Sequence, residues 1–318
     1  MDLLKLIQSK VQRFSGTPVQ QGLESVIHHI EIAEKHHERG KKENSDFLFT
    51  DVLYRTNHAF EGILKEAYSL LTGQDPTKKT SHQIEQYLDT NKILRARVLK
   101  LFTNYRTEWR NPSTHDYQLF FSEQEAFLSI INICAFVSIL LDQLLEKIAF
   151  DREKENVAKS GVKPISKSKN YESLGLLEAA TKLAKDYSMK FPYPEDAAIQ
   201  ITENELLGGL SAFIEFSDKD INTYREALFE IDNQKLQVDL LLQKGEERII
   251  IELKKTRKNI IKSDVAEDQI FSYLAATNIE YGILLFIPDR PAKSMKSEII
   301  ERNIGKNIVK VVKIYPEI

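Results

Sequence analysis

The sequence predicts an α+β protein in two domains. An N-terminal all-helical bundle covers residues 1–150, and a C-terminal α/β domain, a mixed sheet flanked by helices, covers 171–318. Three observations predict this. Apolar residues in the first half recur at helical spacing, with almost no alternating runs. The second half carries short apolar runs bounded by turn residues, which read as strands. Between them, residues 151–170 (DREKENVAKSGVKPISKSKN) are polar, mixed in charge and contain Gly161, Pro164 and three serines, the composition of a linker.

In the first half, DVLYRTNHAFEGILKEAYSLL lies in an amphipathic helix over 45–71, closed by Gly73 with Pro76 beyond. A second helical stretch covers 83–105. A long apolar helix covers 122–150, with Ser122 as its cap and Glu125 completing a capping box. The apolar run at 126–141 is shorter than the roughly 20 residues a membrane span needs. It also carries Ser129, Asn132 and Ser138, so it reads as a buried bundle helix with no membrane role. His28, His29, His36 and His37 share one expected helix without zinc-motif spacing and read as a solvated face.

In the second half, a helix is expected over 171–187 and strands over 210–216 and 227–231. A hairpin follows over 238–255 with its turn at 244–247, then a helix over 262–277 with Asp264 as N-cap, and strands over 280–287 and 308–315.

With a net charge of −3, the chain has no global attraction for nucleic acid, so any such site must be a local basic patch. Lys254, Lys255, Arg257, Lys258 and Lys262 form the densest basic run, open to phosphate contact or to plain solvation. The single Cys134 excludes an intramolecular disulfide and points to a reducing, cytoplasmic setting; it reads as a small buried hydrophobe. The N-terminal MDLLKLIQSKVQRF is interrupted by charge and reads as no secretory signal. No phosphate-cradling glycine motif is present.

The hairpin carries the chemistry. Alternation places Glu252 and Lys254 on one face with Ile250, and folding the turn can bring Asp239 beside them. Two carboxylates suit a hard cation such as Mg²⁺ or Mn²⁺, and a lysine beside it can help polarise a phosphodiester and position or deprotonate the attacking water. A surface strand carrying a salt bridge would yield the same E-x-K spacing.

This arrangement, Asp239 followed by Glu252-Leu253-Lys254, resembles the PD-(D/E)XK nuclease core, a restriction-endonuclease-like fold. QIFSY in the next helix resembles the Q-h-x-x-Y signature of its RecB-like members. The resemblance implies that Asp239 and Glu252 bind Mg²⁺, that Lys254 assists the attacking water, and that Gln269 and Tyr273 orient DNA or a metal ligand. It also implies an acidic metal ligand on the first helix, for which Glu178 is the candidate and Glu205 the second.

In the helical half, Arg110 and His115 bracket four residues in EWRNPSTHDY. Histidine exchanges protons near neutrality and arginine stabilises charge on phosphate, a pair suited to metal-independent RNA cleavage. WRNPSTH resembles the R-x-x-x-x-H motif of HEPN domains, with Arg110, Asn111 and His115 in the motif positions. That resemblance covers about residues 20–150 and implies a homodimer whose protomers share one RNA-cleaving cleft. Together the two resemblances imply a cytoplasmic nuclease acting on DNA, RNA or both, of the kind found in prokaryotic anti-phage defence. Two alternatives stand: a HEPN ribonuclease toxin whose C-terminal domain only binds or senses nucleic acid, and a non-enzymatic dimeric adaptor.

Overall fold

The computed structural model describes residues 2–115, 119–159, 175–191, 201–231, 234–255, 264–288, 291–305 and 307–317, apart from the side chains of Thr114 and His115. Two compact units divide the chain between Lys147 and Ile148.

The first unit is helical: α1 (Leu3–Val11), α2 (Gln20–Glu43), α3 (Asp46–Thr72), α4 (Ser81–Thr90), α5 (Ala96–Tyr105), a π-helical turn at Arg106–Arg110, α6 (Asn111–His115) and the start of α7 (Glu123–Lys159). Its core is built on aromatic contacts: the Phe60 ring lies 5.7, 4.8 and 5.3 Å from those of Phe102, Tyr105 and Phe136. Gly73, at φ +70°, closes α3 as its spacing predicts. Ser122 and Glu125 exchange the two bonds of a capping box ahead of α7. By length and composition α7 could cross a membrane. Its Ile133, Phe136, Val137, Leu140 and Leu141, however, are fully buried in the helical unit.

Three expectations for the chain as far as Lys159 need correction. The stretch at 83–105 is two helices, because the chain turns at Asn91 and Lys92, the latter at φ +51°. Residues 151–159 continue α7 where a linker was expected; the rest of that linker lies outside the described residues. The four histidines of α2 are not all solvated: His37 is buried between the rings of Phe49 and Phe127.

The second unit holds α8 (Leu176–Lys190), α9 (Glu203–Ser217), β1 (Asn222–Ile231), β2 (Gln234–Lys244), β3 (Glu247–Lys255), α10 (Asp264–Thr277), β4 (Tyr281–Ile287), β5 (Met295–Ile304) and β6 (Asn307–Pro316). The six strands form one mixed sheet in the order β1-β2-β3-β4-β6-β5, with β3, β4 and β6 mutually parallel and the other neighbours antiparallel. Helices α8 and α9 cover one face through Leu183, Leu210 and Ile214 against Leu240, Leu242, Ile251 and Leu285. Helix α10 covers the other through Ile270, Phe271 and Leu274 against Ile250, Leu284 and Phe286. Strands buried on both faces read as continuous apolar runs, which is why IIIEL and YGILLFI carry so few polar residues.

Residues 210–216, expected as a strand, lie inside α9. A short apolar run looks the same for a buried helix and a buried strand. What decides is the capping box at Thr202 and Glu205, which starts a helix eight residues earlier. Strand β5 was not foreseen, since its edge position leaves it charged and mostly exposed.

Helices α8 and α9 meet at Gly209, where an added Cβ would stand 2.3 Å from the Tyr187 hydroxyl. Tyr187 is buried and its hydroxyl donates to the Leu206 carbonyl at 3.2 Å, so the ring has little room to yield. Alanine in a helix gains about 1 kcal/mol over glycine, whereas overpacking a core costs about 1–3 kcal/mol. Gly209→Ala is therefore expected to lower stability in denaturant unfolding, against the helix-propensity trend.

Candidate active site

The backbone ladder between β2 and β3 ends at the pair Leu240 and Ile251. Beyond it β2 stays paired with β1, and β3 stays paired with β4 through Lys255. The two strands part, and the fork between them opens at Asp239 and Glu252.

Side chains take over the backbone's hydrogen bonds there. The Leu253 N–H donates to Asp239 Oδ2 at 2.8 Å, and the Asp239 N–H donates to Glu252 Oε1 at 3.3 Å. Lys254 Nζ donates to Glu252 Oε2 at 3.2 Å. The structure thus brings together the three residues that the hairpin reading singled out. Asp239 Oδ1 has no partner among the described residues.

Glu252 is 1% exposed. Burial first, and the Asp239 carboxylate second, push its carboxyl up to about 7 against the pull of Lys254. For Lys254, burial works against the charge, but Glu252 and Asp239 outweigh it, with Glu203 adding to them, and hold the ammonium above its ordinary value. Two carboxylates with one ammonium between them leave the ionised site net negative, which is the complement of a cation. Mg²⁺ is commonly held by one or two carboxylates and otherwise keeps its waters, so the donor set fits such an ion.

The remaining sequence candidates fall in different places. Gln269 and Tyr273 lie on α10, on the same side of the sheet as Ile250, and Gln269 Nε2 donates to the Tyr273 hydroxyl at 2.7 Å. Glu178 is exposed in the first turn of α8, and Glu205 is committed to the Thr202 capping box. Among the described residues no three acidic, histidine or cysteine side chains gather as a metal group, so Asp239 and Glu252 stand as a pair without Glu178. The acidic residue of α9 whose charge reaches Lys254 is Glu203. Sequence reasoning missed it by reading the apolar part of α9 as a strand; the T-E-N-E start of that helix was the available signal. Arg257, Lys258 and Lys262 of the basic run lie outside the described residues, and Lys255 is half-buried.

In the helical unit, Arg110 ends the π turn with Nη2 3.5 Å from Glu61 Oε1 and Nη1 donating to Asn111 Oδ1 at 3.3 Å. The nearby Glu85 is buried, and that burial raises its carboxyl although Arg110 and Arg106 oppose the shift. His115 closes α6, and its side chain lies outside the described residues. Cys134 is buried with its thiol pushed up to about 12, in keeping with a hydrophobic role.

The raised Glu252 carboxyl fixes a sign for stability. Its ordinary value is 4.5 and its folded value about 7, so between them the folded state holds more protons than the unfolded one. Metal-free stability therefore falls as pH rises through that window. Glu252→Gln is expected to flatten this fall, so that the variant's advantage in thermal unfolding grows from pH 5 to pH 8; an advantage that shrinks with pH would contradict the assignment.

Comparison with known proteins bears on this unit. Residues 213–298, from the end of α9 through the fork and α10 into β5, match the family model of the PD-(D/E)XK nuclease superfamily. No curated protein and no solved structure matches the chain at a significant level. The Asp239, Glu252 and Lys254 fork lies inside the stretch that matches this superfamily model.

Proposed function

We propose that the C-terminal unit is a divalent-metal-dependent nuclease that hydrolyses phosphodiester bonds, with DNA as its first expected substrate. The observation that carries this reading is the fork itself, inside the segment that matches a nuclease superfamily: Glu252 accepts from the Lys254 ammonium and the Asp239 N–H, and Asp239 accepts from the Leu253 N–H. Asp239 and Glu252 would hold Mg²⁺ or Mn²⁺. The bound ion would supply Lewis-acid polarisation of the phosphate and a more acidic water. Lys254, whose ammonium the two carboxylates favour in the metal-free fork, would steady the charge on the phosphoryl oxygens and help position or deprotonate the attacking water. Gln269 and Tyr273, bonded to each other on α10, would orient the nucleic acid on that side of the sheet.

A second centre, metal-independent RNA cleavage by Arg110 and His115 in a homodimer, is favoured by the π turn. It sets Arg110 against Glu61 and beside the buried Glu85, and such turns gather at functional sites.

Incubation with DNA and with RNA, each in Mg²⁺ and in EDTA, separates the readings. The C-terminal reading expects Mg²⁺-dependent cutting that drops at least about 100-fold in Asp239→Ala and in Lys254→Ala. Cutting that survives both substitutions, or none in either Mg²⁺ or Mn²⁺, would sink it. EDTA-resistant RNA cleavage lost in His115→Ala would establish the second centre.

A further inference from the structure

We infer that Glu226 is a positioning residue for the fork and that it acts through its left-handed backbone; the inference rests on the nuclease reading above. Four non-glycine residues among those described have positive φ. Asn44 follows α2, Lys92 sits in the turn after α4, and Asn278 follows α10. Glu226, at φ +48°, is different because it lies in the middle of a strand. Residues other than glycine, asparagine and aspartate seldom adopt that region, and they persist in it when the surroundings demand it.

The register shows what is demanded. Arg225 pairs with Leu240 and Ala227 with Val238, so Glu226 shares its rung with Asp239. Both strands change faces at that rung. Before it in β1, Thr223 bonds Ser211 of α9, and the Arg225 guanidinium lies 4.5 Å from the Phe150 ring; after it, Ala227 and Phe229 pack on the α10 side. On β2, Leu240 and Leu242 pack on the α9 side, whereas Leu236 and Val238 pack on the α10 side.

A flat strand alternates faces without such a switch. The left-handed residue turns the β1–β2 ribbon over, which carries the β2 backbone away from β3. The ladder then stops at Leu240 and Ile251, and the Leu253 N–H, denied a backbone acceptor, takes Asp239 Oδ2 in its place. With an ordinary extended residue at 226, β2 and β3 would pair one rung further and the Asp239 carboxylate would leave the gap.

The test compares Glu226→Gly, Glu226→Asn and Glu226→Val. Glycine and asparagine accept positive φ, and the β-branched valine does not. The proposal expects the first two to cut within about threefold of wild type, as a neutral change would. Valine should lose about 100-fold, the cost of a misplaced catalytic group. In the metal-free protein, the Leu253 amide should keep its exchange protection and chemical shift in the first two variants and lose both in valine. If glycine and asparagine lose activity and the Leu253 signature, the carboxylate matters and the proposal fails, whether or not valine folds. It fails equally if valine behaves as wild type. If the wild type cuts nothing, the nuclease reading falls, while the Leu253 amide still decides the role of Glu226.

Discussion

The C-terminal unit depends on one substitution of partners, in which the carboxylates of Asp239 and Glu252 replace a missing rung of backbone hydrogen bonds. An unpaired backbone N–H in a sheet interior is costly, so a ladder that ends inside the protein must find acceptors elsewhere. Here the acceptors are the catalytic candidates themselves. The bonds hold two like charges side by side with one of them buried, and burial raises the Glu252 carboxyl accordingly. Structural need and chemical readiness therefore meet in the same atoms. The sheet cannot close the fork without displacing the acids, and burial disfavours the charged form of Glu252 even with Lys254 beside it.

The rest of the unit keeps the fork rigid. Strands β3 and β4 run parallel through Glu252 and Lys254, opposite Leu284 and Phe286, so those side chains stand on strands fixed from both faces. The α10 crossover lies close to β4 because Gly282 offers no side chain; a Cβ there would meet Ile270 and Leu274 at 2.9 Å. That close approach holds Gln269 and Tyr273 over the same face as Ile250. Positioning on regular elements is firmer than positioning on loops, and the geometry of charged groups in a low-dielectric site rewards firmness.

Much of this was legible in the sequence, for a physical reason. Side chains alternate along a strand, so a charge inside an apolar run stands out. Asp239, Glu252 and Lys254 are visible because IIIEL and VDLLL leave nothing else polar nearby. The hairpin turn, α10, β4 and β6 followed from the same contrast and from capping and turn residues. Where contrast fails, reading fails. LLGGLSAFIEF is apolar on all sides because α9 is buried on nearly all sides, so period gave no guidance and Glu203 was lost with the helix. Strand β5 has the opposite fault, being charged and exposed at the edge, without an apolar run to declare it.

Glu226 marks a different limit. Asn44 and Asn278 announce their left-handed backbones through residue type, since asparagine tolerates that region. Glutamate announces nothing. The ALFEI that follows it reads as an ordinary strand, and the reversal of faces shows only when the packing on the two sides of the sheet is compared. The chemistry of the fork is written in residue types that sequence reasoning can weigh. Its opening is written in a backbone angle that the surroundings impose, because the ribbon must turn to bury Val238 under α10 while Leu240 stays under α9.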